Sequence, residues 1–87
     1  MNKVSAEAMA KFLKGVQENV GKNVIATEIG LVDNREMADA MLEARDYGYI
    51  DGGGHTEYGR GKVTVFTDDI RVMAAGTRFL KENDVAL

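Results

Sequence analysis

The residues best suited to chemistry gather in GGGHTEYGRG, Gly52 to Gly61. This run holds His55, the one histidine of the chain, followed by Thr56 and Glu57. A histidine beside a carboxylate can move a proton, provided the backbone holds both in a fixed geometry. Five of these ten residues are glycine, so the stretch is expected to be a loop too mobile for that task. There is no cysteine nucleophile, no HExxH and no histidine pair. Asp68-Asp69 is more simply a turn and helix cap than a carboxylate pair or metal site. No catalytic residue, metal site or cofactor is expected, and the chain reads as a non-enzyme.

The glycines also fail as a nucleotide loop. No GxGxxG is present. Gly54 and Gly59 have the separation of GxxxxGK[ST], but Arg60-Gly61 follows them. The run lies between two extended stretches, without a helix N-terminus behind it to hold a phosphate.

Polymeric phosphate is the remaining ligand to weigh. Arg60 and Lys62 stand at the far side of the glycine run, where basic side chains can lie against a nucleic-acid backbone. Asn34 and Arg35 are residue types that read base edges. Lys22 can approach phosphates from a linker. Asn34, Arg35, Arg60, Lys62 and Lys22 are therefore the candidate contacts to double-stranded DNA. Charge argues against a broad interface. From Glu28 to Asp51 there are seven acids and two bases, a net −5. A solvated helix face with ion pairs such as Arg35 with Asp39 explains most of them.

Eighty-seven residues allow one small domain, 1–87, with a stability of about 4–10 kcal/mol on the usual per-residue scale. Without cysteine, neither a disulfide framework nor a cysteine zinc site can form. A fold resting on packing alone fits a cytoplasmic protein. No apolar run approaches the roughly 20 residues of a membrane span, and MNKVSAEAMAKFLKGV lacks the apolar core of a signal peptide. The formal charge of −3 weighs against nucleic-acid binding unless the bases share one face.

The elements that must position these residues follow from periodicity. Met9, Phe12, Leu13, Val16 and Val20 form one stripe of a first helix, Val4 to Val20, with Ser5 as N-cap and Gly21 as its stop. Asn23 can cap a short second helix, about 24–30, with Ile25 and Ile29 toward the core; β-branched residues make a strand the rival reading. DNREMADAMLEARDYGYI, Asp33 to Ile50, is the hub. Asp33 and Glu36 make a capping box, Met37, Met41 and Ala44 a buried stripe, and Gly48 a stop before Tyr49-Ile50 begins extended structure.

Lys62 to Thr67, KVTVFT, alternates as a strand. With Tyr49 to Asp51 it is expected to form a hairpin whose tip is the glycine run. A last helix spans 69–83, capped by Asp69. Alternatively, Ile70 to Val72 pairs with the hairpin and the helix begins near Met73. Short helix, glycine turn, long helix and hairpin together predict an α+β fold: a winged helix-turn-helix with a three-helix core, a β-hairpin wing and a C-terminal helix.

Two stretches carry a narrower resemblance. EIGLVDNREMADAMLEARDYGYIDG, Glu28 to Gly52, resembles the core of the YjcQ-like proteins, small winged-helix proteins of bacteria and their phages, in which the third helix ends in "GYI" or "GLI". RVMAAGTRFLKEN, Arg71 to Asn83, is similar to their last strand and helix, with Val72, Gly76, Phe79, Leu80 and Asn83 in matching places. Met73 departs from a frequent threonine cap. The resemblance implies a winged helix and, by analogy with that fold, DNA binding. The expected function is that of a small DNA-binding regulator of bacterial or phage origin. The rival is an adaptor whose acidic third helix docks a protein partner or a second copy in a homodimer.

Overall fold

The computed structural model describes residues 4–83. In chain order it contains helix α1 (Ala6–Glu18), a 3-10 turn (Ala26–Ile29), helix α2 (Asn34–Asp46), strands β1 (Ile50–Asp51), β2 (Gly54–Tyr58), β3 (Lys62–Phe66) and β4 (Arg71–Val72), and helix α3 (Ala74–Asn83). The architecture is α+β, with three helices and two small antiparallel sheets.

α1 begins where expected: the Ser5 hydroxyl accepts from the Ala8 N–H at 3.0 Å. It ends earlier, at Glu18. Asn19 turns its side-chain amide back onto the Gly15 carbonyl, and Val20, beyond the last turn, is 67% exposed instead of completing the stripe. Gly21 lies past this stop with φ 82°, in the following turn.

The second helix is a single 3-10 turn. Because it starts at Ala26, Ile25 before it is extended and the burial of its neighbours alternates. Val24 and Ala26 face the core, and Ile25 points outward at 54% exposure, contrary to expectation. Ile29 packs against the bare Cα of Gly15.

α2 carries both of its expected signals. The Asp33 carboxylate accepts from the Glu36 N–H at 2.9 Å. Glu36 does not reciprocate to Asp33 but accepts from the Val32 N–H at 2.8 Å. At the other end Gly48 adopts φ 77°, and the Gly48 and Tyr49 N–H groups close back on the carbonyls of Arg45 and Ala44. This paired closure is the glycine-dependent stop that turns a helix into a strand.

The sheets differ from the expected hairpin. β1 pairs with β4, Ile50 opposite Val72, while β2 pairs with β3 over five residues from Gly54–Phe66 to Tyr58–Lys62. Half of the glycine run is therefore strand, and the tip shrinks to residues 59–61. Because Arg71 and Val72 are used in β4, the last helix starts at Ala74 rather than near Asp69. Asp69 instead accepts from the Gly53 N–H at 2.9 Å.

The core lies between α1, α2 and the inner face of the hairpin. Phe12, Leu13, Met37 and Met41 are wholly buried, and Val63, Val65, Ile70 and Leu80 close it. Each large side chain contributes about 1.5–3 kcal/mol on burial. Ala8, Ala10, Ala38, Ala40 and Ala44 are also buried there.

α3 is seated by backbone contact. The Tyr49 carbonyl accepts from the Met73 N–H at 2.7 Å, and Gly76 packs directly on that carbonyl. A methyl group on Gly76 would collide with the Tyr49 carbonyl and press on Val72, whereas one on Gly54 meets open space. Gly76→Ala is expected to lose about 1–3 kcal/mol of stability in urea unfolding, and Gly54→Ala to stay within about 0.5 kcal/mol of the parent. Equal effects would contradict this seating of α3.

Candidate nucleic-acid interface

β3 is fastened at both ends. At its start Asn34, the first residue of α2, donates from Nδ2 to the Val63 carbonyl at 3.0 Å and accepts at Oδ1 from the Ala26 N–H at 3.4 Å. At its end buried Thr67 donates from Oγ1 to the Lys22 carbonyl at 2.7 Å and accepts from the Val24 N–H at 3.0 Å. Asn23, expected as a helix cap, accepts at Oδ1 from the N–H groups of Thr67 at 2.8 Å and Asp68 at 3.2 Å. The hairpin is thus held against the first turn of α2.

Between them lies an open groove of about 290 Å3 lined by Asp33, Asn34, Arg35, Tyr58, Gly61, Lys62 and Val63. Of the five candidate contacts, Asn34, Arg35 and Lys62 meet here, and Arg60 stands on the adjoining tip between Gly59 and Gly61, both at positive φ. Lys22 does not join them. Its carbonyl is bonded at Thr67, beyond the opposite end of β3, and five strand residues span roughly 13 Å or more.

The five differ in what their side chains already do. The Asn34 amide is engaged by two backbone groups, so its geometric role is to join α2, the 3-10 turn and β3. Arg35 is exposed and its Nη1 lies 3.3 Å from Glu57 Oε2, not against Asp39. Among the described residues, Arg60 and Lys62 have no carboxylate within ion-pair distance. An exposed pair such as Arg35–Glu57 is worth at most about 1 kcal/mol, so the guanidinium can exchange its carboxylate for a phosphate.

Glu57 was weighed from the sequence only beside His55, not as the partner of Arg35. It also lies 3.7 Å from His55 Nε2, both on the inner face of β2. The alternation of His55, Thr56, Glu57 and Tyr58 was its available signal, obscured by the flanking glycines. His55 therefore sits on a strand, not on the mobile loop expected for it. Among the described residues no group of three or more His, Asp or Glu side chains is arranged to hold a metal ion. No helix of the structure is long and apolar enough to cross a membrane.

On α2, Arg35, Asp39, Leu42 and Asp46 share the exposed face, while Glu43 is half-buried and accepts from the Val4 N–H at 2.9 Å. That face is acidic beyond its first turn.

A family model described as YjcQ protein matches residues 7–86. The chain belongs to the YjcQ family. The match takes in α1 as well as the two stretches, Glu28 to Gly52 and Arg71 to Asn83, that carry the resemblance in sequence. The comparison with curated proteins and that with solved structures found no match.

The contrast between Asn34 and Arg60 separates fold from binding. Asn34→Ala leaves the Ala26 N–H and the Val63 carbonyl without their partner and is expected to cost about 1–2 kcal/mol in urea unfolding. Arg60→Ala should change stability by less than about 0.5 kcal/mol. An Asn34→Ala protein as stable as the parent would show that the bracket does not hold β3.

Proposed function

We propose that this YjcQ family member is a small, non-catalytic DNA-binding regulator with a winged helix-turn-helix fold, acting in the cytoplasm of a bacterium or in the service of a phage. In this reading the 3-10 turn, Gly30 and α2 are the helix-turn-helix, and β2–β3 is the wing. The supporting observation is the groove: Arg35 and Lys62 line it, Arg60 stands beside it, and among the described residues only Arg35 of the three has a carboxylate partner. Three neighbouring cations suit the phosphates of one duplex strand, with base contact limited to the first turn of α2. The acidic remainder of α2 is unsuited to lying in a major groove.

That same acidic face favours a second reading, an adaptor for protein. Asp39 and Asp46 flank Leu42, which is 39% exposed, a combination that suits docking to a basic protein surface or a second copy.

A salt titration of binding to random duplex DNA discriminates between the two. Affinity should fall steeply with salt, by about 0.9 log–log units per phosphate contacted. Arg60→Ala with Lys62→Ala should lower that slope by about 1.8 units. Absence of binding at low salt would refute the DNA reading, and an unchanged slope would exclude the hairpin tip from it.

A further inference from the structure

The hairpin has a second face, turned away from α2. Val63 and Val65 are buried, and their cross-strand partners Glu57 and His55 share that inner side. The outer side is therefore made by the pairs Tyr58–Lys62, Thr56–Thr64 and Gly54–Phe66. Its composition differs from the rest of the molecule. It carries no carboxylate, although the chain as a whole is at −3, and Arg60 adds a second cation at the tip. Tyr58 is 53% exposed and Phe66 43% exposed.

Both rings are presented with open surface. The Thr64 hydroxyl lies 3.3 Å from the Tyr58 hydroxyl, which holds that ring along the sheet. Phe66 stands opposite Gly54, so no cross-strand side chain covers it. From the Tyr58–Lys62 pair to the Gly54–Phe66 pair the strand advances roughly 13 Å. Two aromatic surfaces at that separation, with hydroxyls between them and cations at one end, match an extended strand of unpaired nucleotides. Such strands bind by stacking bases on exposed rings while basic groups follow the phosphates. The hydroxyls of the Thr56–Thr64 pair and the cations at the tip suit a sugar–phosphate strand whose bases stack on the two rings. Asp68 and Asp69 lie past the Phe66 end, so the phosphates belong at the tip.

We propose that the outer face of the β2–β3 hairpin is a binding platform for single-stranded DNA, with Tyr58 and Phe66 stacking on bases and Arg60 and Lys62 on phosphates. This face shares Tyr58 and Lys62 with the lining of the groove beside Arg35, but stacking on Tyr58 and Phe66 does not depend on duplex binding there.

The test is fluorescence anisotropy of the intact protein at low salt. The probes are a labelled oligothymidylate of about ten nucleotides, the matching duplex and the matching oligouridylate. The oligothymidylate should bind saturably. Tyr58→Leu and Phe66→Leu should each weaken it about five- to a hundredfold, while Tyr58→Phe retains binding and all three variants keep the parent's melting temperature. Arg35→Ala should leave this affinity unchanged while lowering that for duplex, which separates failure of one reading from failure of the other. The proposal is overturned by the absence of saturable oligothymidylate binding, by leucine variants that bind as the parent does, or by oligouridylate binding where oligothymidylate does not. It is equally overturned if the leucine variants abolish self-association in a protein that ignores the oligonucleotide.

Discussion

Thr67 closes the end of β3 against the turn behind α1, and the position of the hairpin depends on that closure. Its hydroxyl donates to the Lys22 carbonyl and accepts from the Val24 N–H, while its own N–H and that of Asp68 are taken by Asn23. Thr67 is the buried polar side chain of the described core, at 2% exposure. Groups so buried are costly to leave unpaired, about 1–3 kcal/mol each, so the four bonds act together to select one position of the strand. Asn34 repeats the device at the start of β3. A two-stranded hairpin is marginal by itself. Here Val63 and Val65 add a buried face between the two polar ties.

The same arrangement sorts the charges. With β3 fixed, alternation sends Glu57 and His55 toward α2 and leaves Tyr58, Lys62 and the tip facing solvent. Arg35 balances Glu57, so the cations of the tip are separated from the nearest carboxylate of their own hairpin. The acids of α2 beyond its first turn are screened over a Debye length of about 8 Å at physiological salt. A chain with a net charge of −3 can in this way present a local basic surface. Phosphate affinity in the proposed function arises from that local arrangement and not from the overall charge.

The local signals were legible. Ser5, Asp33 and Gly48 mark helix ends by chemistry that acts within a turn or two, and the Met37–Met41–Ala44 stripe identifies the buried side of α2. What sequence reading missed depends on distant partners. Asn23 has the side chain of a helix cap, but its acceptor serves Thr67 and Asp68, more than forty residues on. Asn34 has the type of a base reader, yet its amide joins three elements of the fold. β2 was hidden because glycines depress strand propensity, although cross-strand pairing with β3 overrides it. Ile70 to Val72 offered two readings, and the long-range pairing of Arg71 with Asp51 decided for the strand. Of the candidate contacts, the grouping of Arg35 with Lys62 and the separation of Lys22 could be obtained only from the fold.

In the proposed function a hairpin clasped against α2 makes one phosphate-binding surface from the helix's first turn and the hairpin tip. Amide NMR during titration with a short duplex at low salt tests it most directly. Shifts should concentrate at Asn34, Arg35 and residues 59–62, with the amides of Asp39, Leu42 and Asp46 unmoved. Shifts confined to the acidic face of α2, or no shifts at all, would contradict it.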